Sequence, residues 1–206
     1  MPRLIDRPGR RRQIVHAAWT TAAANGVHAV TLQRVADAAG IVVGSVRHLF
    51  PTREALLFAM ADDLVEHTKT AAKKQMNLYA RSDLAAVQLI RTLPASPDRR
   101  LRWRVELALR GGIPSHRHIR DALDRCRRIR IYECGAVLET LAKGLDVPAG
   151  TIRLEALRTA ALLEGLGDRL ATDGPRSSTR DDARSVMEYH LDGIREGWVR
   201  QRHNTR

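Results

Sequence analysis

Aromatic side chains are scarce in this chain: two Phe, three Trp and three Tyr among 206 residues. A site for a quaternary ammonium group needs several aromatic faces around one point. Only Tyr79, Trp103 and Tyr132 fall in the helices expected to surround an internal pocket, so such a cage is disfavoured. Cysteine is almost missing as well. Cys126 and Cys134 stand in what reads as one helix, about 12 Å of rise apart, which rules out a bridge between them within that helix, and no Cys/His spacing suits zinc. No apolar run approaches the roughly 18 residues of a membrane span. The Arg-rich start lacks the apolar segment of a signal peptide, so no membrane partner is expected and the expected location is the cytoplasm. Alternating apolar and polar stretches of strand length are absent too, and with no strand there is no strand-and-glycine-loop site for phosphate. The eight His are scattered, and His116 and His118, the one close pair, would face about 200° apart on a helix. No catalytic residue, metal site or cofactor is expected, and the chain does not read as an enzyme.

Acidic residues are outnumbered, 23 Asp and Glu against 35 Lys and Arg, for a formal charge of +12. This balance favours a polyanionic partner, although an Arg-rich solvated surface gives the same number. Arg3, Arg7, Arg10, Arg11 and Arg12 lead into the first helical stretch, where an arm or helix start can meet phosphate. A second basic region runs from Arg99 to Arg130, so charge by itself does not map a nucleic-acid site.

The organising stretch is Thr31 to Glu54, TLQRVADAAGIVVGSVRHLFPTRE. Two short helices that cross steeply need a small residue at the contact, which Ala36 supplies, and a turn residue tolerant of positive φ, which is Gly40. Val35, Ala39, Ile41, Val46 and Leu49 then point into a small core, leaving Gln33, Arg34, Val42, Val43, Ser45, Arg47 and His48 outward. Thr31 is the expected N-cap of the first helix, and Thr52 opens another. The pattern is a helix-turn-helix, braced by an upstream helix carrying Ile14, Ala17, Ala18, Trp19 and Ala22 and stopped at Asn25-Gly26 by a left-handed cap.

These residues resemble the DNA-binding region of the TetR family of bacterial transcriptional regulators. The resemblance rests on Ile14, Ala17, Ala18, Gly26, Thr31, Val35-Ala36, Ala39-Gly40-Ile41, Gly44-Ser45, Phe50 and the run from Thr52 to Leu56, over roughly residues 10 to 60. It implies a DNA contact set of Gln33, Arg34, Val42, Val43, Gly44, Ser45, Arg47, His48, Thr52 and Arg53. Two departures stand out. Val42 occupies the place of a capping hydroxyl, at a cost of about 1 kcal/mol to the reading helix. Arg47 occupies the place of a Tyr that touches phosphate in the family. Arg53, where the resemblance implies a Lys, is expected to meet phosphate at the start of the next helix.

Beyond Pro51 one long stripe through Leu56, Leu57, Met60 and Leu64 continues toward Tyr79, and further helices follow, with starts at Ser82 and Ser96-Pro97. The expected class is all-α with about nine helices, divided into a reading head at 1–55 and a helical effector and dimerisation domain at 56–206. The second part is similar to that of BetI-type TetR regulators, through Trp103 with Glu106, the Arg-rich helix after Pro114, Ala161 to Leu166, and His190-Leu191. Glu106, Glu133 and Glu164 lie beside apolar positions and are expected to pair with arginines, the alternative being a polar pocket. A pocket would be lined by Trp103, Glu106, Leu107, Arg110, Arg125, Ile129, Tyr132 and Leu163, with Arg110 or Arg125 holding an acid group. These readings point to a ligand-responsive regulator, a homodimer on a palindromic duplex DNA operator, released by a small effector that is apolar or anionic. The alternative is a helical protein-interaction module with weak, unspecific DNA binding and no effector.

Overall fold

The computed structural model describes residues 7–79, 89–112, 116–173 and 177–204. Arg3, Ser82, the Tyr79 side chain, and parts of the turns expected near 111–114 and 172–178 lie outside the described residues. Among those described, all regular structure is helical: α1 (Arg7–Asn25), a 3-10 turn η1 (Val27–Ala29), α2 (Leu32–Ala39), α3 (Val43–Leu49), α4 (Arg53–Tyr79), α5 (Pro97–Gly112), α6 (Arg117–Leu141), α7 (Ala149–Thr172) and α8 (Ser177–Asn204). The described residues hold eight α-helices, where about nine are expected of the whole chain, and the all-α class holds.

The helices form two compact units, Met1–His67 with Leu101–Arg125, and Thr68–Arg100 with Cys126–Arg206. In the first unit, α1 buries Ile14, Ala17, Ala18, Trp19 and Ala22, and the Trp19 indole N–H donates to the Met60 carbonyl at 3.3 Å. Gly26 then turns the chain at φ 79°, ψ 164°. This is not the left-handed cap expected from Asn25-Gly26, but it is a backbone region open essentially to glycine alone. Thr31 caps α2 by accepting from the Arg34 N–H at 3.2 Å. Gly40 ends it in the left-handed conformation, φ 65°, ψ 37°, while the Ile41 N–H reaches back to the Ala36 carbonyl at 3.0 Å. Ala36 and Val46 are fully buried, as a steep crossing of α2 and α3 requires.

In the second unit, Ser96 caps α5 by accepting from the Arg99 N–H at 3.3 Å, with Pro97 as first helical residue, where its missing N–H costs nothing. The core of this unit gathers Leu89 and Leu93 with Cys134, Val137 and Leu138 of α6, Leu163 and Leu170 of α7, and Met187, Leu191 and Trp198 of α8. On α7 the buried face is Ala156, Thr159, Ala160, Leu163, Gly167, Leu170 and Ala171. Leu154 and Leu157 therefore point outward, 64% and 42% exposed.

Candidate nucleic-acid interface

The outward face of the helix-turn-helix follows from the two crossings just described. Burying Val35 and Ala36 on α2 and Val46 on α3 turns Gln33, Arg34, Val42, Gly44, Arg47 and His48 to solvent, with Val43 and Ser45 half-buried beside them. Val42 begins α3 without any side-chain cap and is 73% exposed, so the first turn of the reading helix presents a bare apolar side chain. Gln33 is partly engaged, donating to Asp37 at 2.9 Å. The side chains of Arg34, Arg47 and His48 make no hydrogen bond or ion pair among the described residues. Exposed guanidinium and imidazole N–H donors on α2 and α3, without partners among the described residues, suit phosphate and base-edge contacts.

Gln13, Arg11, Thr52 and Arg53 brace this face from behind. Gln13 of α1 donates to the Ala39 carbonyl at 2.8 Å, fastening the end of α2. The Arg11 guanidinium lies 4.6 Å from the centroid of the Phe50 ring, just after α3. Thr52 is exposed and caps α4, accepting from the Ala55 N–H at 3.1 Å. Arg53, expected to meet phosphate, sends Nε to the Val30 carbonyl at 2.7 Å and Nη2 to the Val27 carbonyl at 2.9 Å. Its fork bridges η1 and the entry to α2, which the compact ammonium of a Lys cannot do. Nothing in the spacing of the sequence pointed to that bracing role. Of the basic residues entering α1, Arg10 is also turned inward on the chain, to Gln13 at 3.0 Å, while Arg7 and Arg12 are exposed.

Known proteins match this chain over both of its parts. The family model described as bacterial regulatory proteins, tetR family, matches residues 14–60, and the one described as BetI-type transcriptional repressor, C-terminal, matches residues 81–196. The chain belongs to the TetR family of transcriptional regulators. This regulator is 37% identical to the HTH-type transcriptional regulator PksA of Bacillus subtilis over 198 residues, 94% of each chain. It is 26% identical to BetI of Cronobacter sakazakii over 176 residues, 84% of this chain and 85% of that one. In three dimensions it resembles a Saccharomonospora viridis regulator in complex with choline, at TM-score 0.73 and 23% identity, covering 90% of this chain and 96% of the other.

The residues expected to line an effector pocket in this TetR regulator are divided between the two units. Trp103, Glu106, Leu107, Arg110 and Arg125 belong to the first, and Ile129, Tyr132 and Leu163 to the second. Trp103 and Glu106 are buried, and Leu107 is half-buried. Glu106 accepts from Arg110 at 2.7 Å, and Arg125 meets Asp62 of α4 at 3.2 Å, so both arginines expected to hold an acid already hold carboxylates. Leu163 is enclosed in the second core and Tyr132 is 64% exposed. His118 shares the same Asp62 oxygen at 3.1 Å. His116 precedes α6, and both imidazoles lie against the Phe58 ring, which replaces the opposed helical faces expected for the pair.

Of the three carboxylates expected to pair with arginine, Glu106 does so, and Glu164 accepts from Arg130 at 2.6 Å. Glu133 does not. It is buried and makes no hydrogen bond among the described residues; desolvation pushes its carboxyl up to about 7, with Arg130 pulling the other way. Cys126, Arg130, Glu133, Cys134 and Val137 fall at helical spacing and are all buried, which puts Glu133 on the inward face. The neighbouring Cys134 thiol, raised to about 12 chiefly by burial, stays protonated and is a packing group.

Proposed function

We propose that this regulator binds a palindromic DNA operator as a homodimer, acting as a repressor that a small effector releases. Residues 1–55 would read DNA and residues 56–206 would bind effector and partner. The observation that carries the reading is the face of Arg34, Arg47 and His48, exposed and without internal partners on a braced helix-turn-helix. Selection from random duplexes tests it: a symmetric motif is the expected product. Unspecific retention that falls steeply with salt would instead favour a helical interaction module with weak affinity for any DNA. Among the described residues no helix is long and apolar enough to cross a membrane. The cytoplasm, where an operator is accessible, is the proposed location.

Arg47→Ala and His48→Ala are expected to weaken operator binding while leaving the head folded, because both side chains point away from the buried Val46 and Phe50. Loss of a base contact costs about 1–3 kcal/mol and relaxes one operator position, whereas loss of a phosphate contact weakens all sequences alike. Titration of single and double variants against the selected duplex separates these outcomes. Unchanged binding by the double variant would place the reading face elsewhere.

Support for the dimer comes from an apolar stripe without cover in the second unit. Leu154 and Leu157 on α7, and Val186 and Tyr189 on α8, are 64%, 42%, 43% and 84% exposed. Gly165, Gly193 and Gly197 on the same helices have open space where a side chain would stand, which permits close approach of a second helix pair in a four-helix bundle. Sedimentation at micromolar concentration is expected to give a dimer, and Leu157→Glu with Tyr189→Glu a monomer. A monomeric wild type would end the dimer reading.

The proposed effector is small and apolar or anionic, supported by the arginine excess and the few aromatic faces. An acidic effector must displace Glu106 or Asp62 from its arginine, or use other donors. Thermal-shift screening with matched anionic, neutral and cationic compounds is expected to show stabilisation by the first two. Shifts from choline-like cations alone would overturn the assignment.

A further inference from the structure

Gly112, the last residue of α5, is packed where a side chain has no room. A Cβ built on it would collide with Val27 Cγ1 and stand 3.3 Å from Val27 Cβ and 3.9 Å from His28 Nε2, whereas the adjacent Gly111 would meet nothing within 4 Å. Val27 is buried and opens η1, the turn that leads into Thr31 and the cap of α2. Its carbonyl is one of the two that Arg53 holds at the start of α4. The turn is thus fastened by α4 through hydrogen bonds and pressed by the end of α5 through direct contact. Asp62 of α4 ties down the beginning of α6 through His118 and Arg125. The two helix ends flanking residues 113–115 are therefore both anchored within the compact unit that contains the helix-turn-helix.

We propose that Gly112 is a positioning residue for DNA reading. Its bare Cα lets the end of α5 rest on Val27 and so sets η1, from which α2 and α3 continue, and operator affinity depends on where α5 ends. Close-packed groups transmit such a displacement because no free volume absorbs it. The proposal rests on the DNA-reading function above and deepens it by naming the contact through which α5 governs the reading motif.

Four full-length variants test it: Gly112→Ala, Gly111→Ala, Val27→Ala, and Gly112→Ala combined with Val27→Ala. Each is titrated against the duplex recovered by selection, and amide exchange over η1 and α2 is followed in the free protein. Gly112→Ala is expected to weaken binding about tenfold or more and to speed exchange in η1 and α2, as overpacking does. Gly111→Ala should match wild type, since it makes the same change of residue type without the collision. The combined variant, which removes the obstructing methyl, should return affinity and exchange to within about twofold of Val27→Ala alone. Wild-type behaviour of Gly112→Ala would overturn the proposal. So would a loss of binding or folding in Gly112→Ala that Val27→Ala does not relieve. Failure to recover any symmetric motif would strike the DNA-reading function instead, and the exchange data would still judge the contact.

Discussion

Arg53→Ala is expected to lower the unfolding free energy of the regulator by about 3 kcal/mol, the larger part of it from two hydrogen bonds donated by a charged group. The substitution removes Nε from the Val30 carbonyl and Nη2 from the Val27 carbonyl. Both carbonyls belong to the tight segment around η1, where Val27 and Val30 are buried; the Val27 carbonyl keeps the Val30 N–H at 3.1 Å, so the heavier loss falls on the Val30 carbonyl. For a protein of this length the loss corresponds to a fall of about 6–12 °C in the melting temperature. Arg53→Lys is expected to recover less than half of it, since one ammonium cannot span two carbonyls in the geometry of a guanidinium fork. Thermal and urea denaturation of the three proteins measure this directly. A change under about 1 kcal/mol in Arg53→Ala would mean that the fork does not brace the head.

Glu133→Gln is expected to act in the opposite direction and to depend on pH. Burial pushes the Glu133 carboxyl from its ordinary 4.5 up to about 7, and Arg130, which opposes the shift, is committed to Glu164. Between those two values the folded protein binds more proton at this site than the unfolded chain does. The stability it contributes is therefore complete below the unfolded value, is lost as pH rises toward about 7, and does not return above it. Ionisation inside the core costs about 3 kcal/mol by pH 8. A glutamine amide carries no charge but keeps about 1 kcal/mol of the cost of burying an unpaired polar group. A net gain of about 2 kcal/mol is expected near pH 8, vanishing toward pH 5. Urea titrations at the two pH values test it. A variant no more stable than wild type at pH 8 would show that Glu133 is never charged against its surroundings.

The reading head was legible because its constraints are local. Thr31 caps within three residues, Gly40 must take positive φ at one place in the chain, and Ala36 and Val46 sit at helical spacing from their neighbours. Each is a short-range demand that few residue types satisfy. The departure at Val42 was equally local, and α3 does begin without a side-chain cap. The stripe on α4 and the Ser96-Pro97 start of α5 belong to the same class of signal. Effector residues were less legible. Trp103 and Leu163 read as apolar helical positions and are buried, but periodicity cannot say which carboxylate an arginine finds. Arg110 turned to Glu106 four residues back, whereas Arg125 found Asp62, 63 residues away.

By itself, then, the sequence determined the all-α class, the helix-turn-helix with its outward face, and the kind of regulator this is, since propensity, capping and period act over a few residues at a time. Tertiary structure alone decided the rest. It turned Arg53 onto the carbonyls of Val27 and Val30, set Gly112 against Val27, joined His118 and Arg125 to Asp62, and left Glu133 in the core without a hydrogen bond among the described residues. Each of these depends on which surfaces meet after the helices have formed. A contact between residues tens of positions apart leaves no trace in local spacing, because the geometry that creates it belongs to the packing of whole helices and not to any one of them.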